Sequence, residues 1–403
     1  MTNDYQGADD MNENHEVRRR GSVCRLAGFL RLSAAMLLGL SPIATAQGVR
    51  CIAKATGNWS DPAVWHTGTV PTSADEAWID GGSDVTVDIF GATCSSLLVI
   101  NGSLRISSST ALLSVPGSVS LDGGGVSSAL TMSNGKLLLA GPFTIGTGSV
   151  TLTGGEIEFT NGSQDIPSGS YFDLRLMGGT KTALGPLTVN GNMTIVSGAE
   201  FVAGPYTHRI KGDWVNQGGF TSGAGTVILN GTSPQNITGA TSFTNLTLSA
   251  AGKKTALADI TVKNALTINA LATFDPGGFL LTVKGNWTND GTFRHDTGTV
   301  DIGGTGTSLL SGDASFNNLI FSGSGAKTTS VGLTVNGTFT NNAGSSFDAG
   351  SYTHTFKGRW ENAGIFIGGT STAVMEGTTQ QILTGQSRFN DLTIRNPEGI
   401  RFV

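Results

Sequence analysis

Lys211-Gly212-Asp213-Trp214-Val215-Asn216-Gln217-Gly218-Gly219-Phe220 returns as Lys284-Gly285-Asn286-Trp287-Thr288-Asn289-Asp290-Gly291-Thr292-Phe293. It returns again as Lys357-Gly358-Arg359-Trp360-Glu361-Asn362-Ala363-Gly364-Ile365-Phe366. Each step is 73 residues (284 − 211 and 357 − 284). Leu187, Ile260 and Leu333, which open an apolar-Thr-Val segment, keep the same step, and so do Phe243, Phe316 and Phe389. A fixed period over such a tract marks a stacked array. Within one period, apolar segments begin near Leu246, Ile260, Leu281, Val300 and Leu319, at steps of 14, 21, 19 and 19. Four coils of about 18 residues or three of about 24 divide that period, close to the lengths that solenoids use.

Upstream, residues 91–170 carry short strands such as Leu97–Ile100, Leu104–Ile106, Leu137–Leu139 and Val150–Leu152, broken by Gly or Asn-Gly. No stretch has a helical period, and regular short strands of this kind suit a sandwich array or a solenoid. The wealth of Gly and Asn at the breaks suits corner turns and favours the solenoid. The expected fold is therefore all-β: a right-handed parallel β-helix behind a small Trp-rich N-terminal head at residues 47–90. Residues 171–403 form the array of 73-residue repeats.

The head reads Gly57-Asn58-Trp59-Ser60-Asp61-Pro62-Ala63-Val64-Trp65, then Gly68 and Pro71, then Asp75-Glu76-Ala77-Trp78-Ile79 and the alternating Val85-Thr86-Val87-Asp88. It resembles the start of a G8 domain and similar heads on bacterial secreted β-helical proteins. The Gly-x-Trp-x-Asn-x-Gly-x-Phe repeats resemble those of large secreted and surface proteins of environmental bacteria, many of them adhesin-like or haemagglutinin-like. The resemblance implies a β-solenoid with a structural or adhesive role at the cell surface.

Residues 1–46 read as a signal peptide. Arg18, Arg19, Arg20 and Arg25 precede an apolar run from Leu26 to Leu40, and Ala44-Thr45-Ala46 makes a cleavage site near Ala46. The run is too short to span a bilayer, so no membrane span is expected in the mature chain. Five acids and five arginines cancel in the leader, leaving the net charge of −5 on the exported portion. That acidic balance excludes nucleic acid as a partner, which needs a basic footprint. The chain stops after Phe389-Asn390-Asp391-Leu392 and a short tail, without a polar cap, which predicts a protein that continues beyond Val403.

Several side chains are candidates for chemistry. Cys51 and Cys94 are the two cysteines outside the leader, and an exported protein with two cysteines most simply closes one disulfide; two unpaired buried thiols are the alternative. Period-two alternation places Trp214, Asn216, Gly218 and Phe220 on one strand face. That face is either an inward aromatic ladder or a row of platforms for a polysaccharide, with Trp59, Trp65, Trp214, Trp287 and Trp360 as the ligand-binding candidates. Asp80, Asp84 and Asp88 offer oxygens to calcium but lack its loop pattern; no other metal or cofactor is expected. His208 and His354 share a phase and read as surface histidines. Glu156 and Glu158 alternate onto one face without an evident acid opposite, which reads as a solvated strand. The expected role is a non-enzymatic secreted or cell-surface rod, a stalk or display device. The alternatives are a module that binds extracellular polysaccharide or cell-surface glycan, and an enzyme that degrades polysaccharide.

Overall fold

The computed structural model describes residues 48–122 and 128–403. The expected signal peptide, its expected cleavage site and Cys24 lie outside the described residues. The fold is an all-β solenoid of about 16 turns, and its strands are short, from two to eleven residues. Every strand pairing is parallel; a single antiparallel bridge, Ala53 to Trp65, occurs among the described residues. The only helical element there is one 3-10 turn, Pro62–Val64, with Asp61 capping the Ala63 amide at 2.8 Å. No helix is long and apolar enough to cross a membrane among those residues.

Each turn lays one strand on each of three flanks. Flank A begins with Arg50–Ile52, Glu76–Ile79 and Ser96–Val99. Flank B begins with Gly57–Asn58, Asp84–Val87 and Ser103–Ile106, and flank C with Ala92–Thr93 and Leu112–Val115. Hydrogen bonding groups the strands into five sheets: breaks interrupt the ladder of each flank, and four long strands that run round a corner join one flank to the next. Ala129–Leu139 and Ser149–Phe159 turn from B to C; Thr241–Leu248 and Ile260–Ile268 turn from A to B. Gly135, at φ 72°, lets the first corner pass, since a Cβ there would stand 2.7 Å from the carbonyls of Ala111 and Ser108.

Alternation drives each strand. In Ser96–Val99, Leu97 and Val99 point inward and are buried, while Ser96 and Leu98 lie half-buried on the outer side. Stacking then aligns like with like. On flank C the inward column runs Ala92, Leu113, Leu137, Ile157, Leu174, Met193, Trp214, Ile237, Ala256, each within 3% of full burial. At about 1.5–3 kcal/mol per fully buried large apolar side chain, such columns are the main stabilising term. Outward positions favour Thr, which is β-branched yet polar; Thr247, Thr267 and Thr288 form one such row on flank B. Residues 48–403 belong to one compact unit, so the Trp-rich head is the first part of the solenoid. Its Arg50–Ile52 strand is already a rung, paired with Glu76–Ile79.

The 73-residue period is not a whole number of turns, contrary to the division into three or four coils. Trp214 pairs with Ile237 and Ile237 with Ala256, steps of 23 and 19. After Trp214–Asn216 on flank C come Gly219–Thr221 (A), Thr226–Leu229 (B), Gln235–Thr238 (C), Thr241–Leu248 (A, then B) and Lys253–Ala256 (C). Ile260–Ile268 (A, then B), Thr273–Asp275 (C), Leu280–Val283 (A) and Asn286–Asn289 (B) follow. That is eleven flank positions, or three and two-thirds turns. Trp214 accordingly lies on flank C, Trp287 on flank B and Trp360 on flank A.

Candidate functional site

The repeat motif is core architecture. Trp214, Trp287 and Trp360 are buried to within 1% of completeness. Trp214 meets Phe220 (4.8 Å) and Phe243 (5.3 Å), and Trp287 meets Phe293 (4.8 Å) and Phe316 (5.1 Å). Trp360 meets the equivalent Phe366 (5.0 Å) and Phe389 (5.2 Å), and also Phe339 and Phe356 (4.7 Å each). Their indole N–H groups donate to Thr241 Oγ1, the Asp313 carbonyl and Ser387 Oγ. The motif's Asn is also inward, and its amide ties the next corner: Asn216 to Ala240 O, Asn289 to Asp313 O, Asn362 to Gln386 O. Phe220 is not on Trp214's strand. The chain turns at Gly218, where a Cβ would meet Ala199 O at 2.3 Å, and Phe220 sits on the next flank.

Trp59 and Trp65 are fully buried at the other end of the core, edge-on at 5.0 Å, with Trp65 Nε1 donating to Trp59 O. The five tryptophans therefore offer no surface to a polymer, and the three in the repeats occupy different flanks. The platform reading is corrected on both counts: apolar area this large is driven inward.

The other candidates also change. Cys51 and Cys94 are buried free thiols, not a disulfide. Both belong to the apolar core and pack as small hydrophobes, and burial pushes the Cys94 thiol up to about 12. Asp80, Asp84 and Asp88 do not converge. Asp80 accepts from the Gly81 amide, Asp84 from Ser103 Oγ, and Asp88 from the Ser60 amide and hydroxyl. No group of three or more metal-ligating side chains forms among the described residues, so the calcium candidates have no shared site. His208 and His354 are buried rather than at the surface. Their Nδ1 atoms accept from the Leu187 and Leu333 amides and their Nε2 atoms face Ala203 O and Ala349 O at 2.8 Å. Burial lowers the pKa of both.

The structure brings together a cluster that the sequence left dispersed. On the outer side of flank C, register stacks Lys136, Glu156 and Asp173 on three successive turns, and beside them Leu138, Glu158 and Arg175. Lys136 Nζ reaches Glu156 at 2.6 Å and Arg175 Nε reaches Glu158 at 3.5 Å. Asp173 accepts the Asn192 amide at 2.6 Å. The Glu158 side chain is only 12% exposed. Burial first, and the Glu156 charge second, raise its pKa against the pull of Arg175 and Lys136. Burial likewise raises Asp173, with the Asn192 amide opposing. Glu156 and Glu158 are thus not a plain solvated strand: cations face them from neighbouring turns.

Beside this cluster, at the corner where flank B turns into C, lies a groove of about 450 Å³. Ser133, Asn134, Thr153 and Phe172 line it, with Lys136, Glu156 and Asp173 at its C-flank side. No protein-family model matches the chain, and neither does any curated protein or solved structure. The cluster is therefore read from its own geometry. The two glutamates were visible in the sequence, but Lys136, Asp173 and Arg175 were not. Their spacings of 20 and 17 residues follow irregular turns where the 73-residue array begins.

A second set escaped the sequence reading although its signal was present. Lys181, Lys254 and Lys327 are spaced by 73 and are completely buried. No carboxylate receives them. Lys254 Nζ donates to the carbonyls of Gly231, Ser249, Ala250 and Gly252 at 2.5–3.1 Å, and Lys327 Nζ to those of Gly304, Gly323 and Gly325. Lys181 does the same with Asn161, Gly162 and Gly178. These ammonium groups organise corner turns, a structural duty.

Proposed function

We propose that this chain is a secreted or cell-surface rod with a structural and adhesive role, acting as a stalk or display shaft. The observation that carries the reading is the parallel stack of about 16 turns, in which the repeated motif spends its Trp and Asn on the core. At about 4.8 Å per turn the stack is on the order of 75 Å long, a span suited to holding a surface away from its base. Repetition that maintains a shaft rather than a reacting centre fits a spacer. The leader at residues 1–46 supports export.

The reading assigns no reaction to the chain; assays for new reducing ends or unsaturated products, with and without calcium, are its direct check. Surface placement is tested with an antibody against residues 171–403, applied to intact and to lysed producing cells. Labelling of intact cells, abolished by brief external protease, is the expected result. Labelling that appears only after lysis would sink the proposal.

A further inference from the structure

On flank C two ion pairs lie on neighbouring turns, and one of them, Lys136–Glu156, lines a groove together with Asp173. Other ion pairs, such as Arg50–Glu76 and Arg395–Glu376, are isolated and well exposed. A purely solvated strand face would leave its carboxylates in water. Here Glu158 is nearly covered, and Glu156 is held at 2.6 Å by a lysine from the adjacent turn.

The groove draws its lining from four successive turns: Ser109, then Ser133 to Lys136, then Thr153 to Glu156, then Phe172 and Asp173. It therefore runs along the shaft, over roughly 14 Å at about 4.8 Å per turn. Glycines keep its floor low. Gly154 and Gly155 leave no space for a Cβ, which would stand 2.1 Å from Ser133 O and 2.6 Å from Asn134 O respectively.

We propose that this groove is a subsite for a neutral, hydroxyl-rich polymer, a segment of uncharged polysaccharide. Glu156 and Asp173 accept from sugar hydroxyls, Lys136 and the Asn134 amide donate to them, and the half-buried Phe172 offers an apolar patch to ring C–H groups. Fixed groups of both signs on a pre-formed surface suit a ligand that donates and accepts along its length. Three acids against two bases leave the cluster net negative, which disfavours a polyanion. The proposal deepens the adhesive part of the rod reading by naming what is gripped and where.

The test is affinity electrophoresis of the mature chain in gels containing xylan, a mixed-linkage β-glucan or mannan, with alginate as the polyanion. Glu156→Gln/Asp173→Asn and Lys136→Gln variants run alongside, their folding checked by thermal melting. The expected result is retardation by at least one neutral polymer, weakened tenfold or more in both variants, and none by alginate. Lack of retardation by every neutral polymer, equal retardation of the variants, or retardation by alginate alone would each overturn the proposal. None of these outcomes bears on surface placement, which the antibody experiment decides separately.

Discussion

Gln235 and Lys254 close on the two ends of one glycine. Gln235 Oε1 accepts the Gly231 amide at 2.7 Å, and Lys254 Nζ donates to the Gly231 carbonyl at 3.0 Å from the next turn. Gln164 and Lys181 hold Asn161 the same way. Where the backbone turns a corner inside a low-dielectric stack, the exposed ends of that peptide are met by side chains buried beside it.

Lys254→Met should therefore be costly. It removes the donor from four buried carbonyls while keeping the apolar stem, and about 3 kcal/mol of stability is expected to go. Lys253→Met is the control. That lysine's ammonium is half-exposed, and its largely covered partner Asp275 keeps the Gly277 amide, so a smaller loss of about 1–2 kcal/mol is expected. Urea midpoints of the two variants measure the difference; equal losses would refute the role assigned to the buried ammonium.

The same lysine sets an alkaline signature. Burial brings Lys254 down to about 8, below the ordinary 10.5. Between those values the unfolded chain holds the proton more firmly than the folded one, so this group's contribution to stability rises with pH across the window. Cys94, raised to about 12, pulls the other way above about pH 9 in native chain and variant alike. Melting from pH 8 to 10.5 should therefore show a more positive slope in the native chain than in Lys254→Met. An identical slope in both would exclude Lys254 as its source.

His208 and His354 act at the acid end. Burial depresses both, so each stays neutral in the fold while the unfolded chain takes up protons below about 6.5. Their contribution is fully present above that pH and declines as pH falls through it. Glu158 and Asp173, whose pKa values are raised, work in the opposite sense as the pH drops. The melting temperature of His208→Gln/His354→Gln should respond less to acidification from pH 7 to pH 5 than that of the native chain. A steeper response would contradict the buried neutral assignment.

Ser308 stands where Gln235 and Gln381 stand in the neighbouring repeats, 73 residues to either side, and its hydroxyl is fully buried without a partner. Gln381 binds Gly377 N, Phe356 O and Gly358 O as Gln235 binds its own corner. Ser308→Gln should restore that amide and raise stability by about 1 kcal/mol. A lowered melting temperature would mean that the corner around Gly304 has closed over the space the amide requires.

Trp287→Ala should cost about 3–5 kcal/mol, the usual range for emptying an aromatic core site, and leave polysaccharide retardation of any surviving fold unchanged. If the variant melted normally but lost retardation, the indole would have to be a binding surface after all.

Much of the architecture was legible because stacking forces identical residues into identical places. Trp214, Trp287 and Trp360 advertised the array, and the strands follow from alternation around them. The number of turns was not legible. A period reports when the chain repeats its chemistry, not when it completes a circuit, and only the pairing of Trp287 with Leu266 and Leu310 reveals the difference. The inward or outward sense of Trp214 was likewise open, since alternation fixes which residues share a side but not which side is wet. The flank C cluster was the least visible part. Glu156 meets Lys136 and Asp173 only because two turns there happen to be 20 and 17 residues long.

Because each repeat advances three and two-thirds turns, the array behaves as a screw. Any feature fixed to one place in the repeat moves a third of the way round the shaft with every copy and regains its original bearing after three. Duplication of such a unit cannot build a one-sided ribbon of like features. It spreads them around the circumference, so that a lengthened shaft would meet neighbours from every side with the same chemistry.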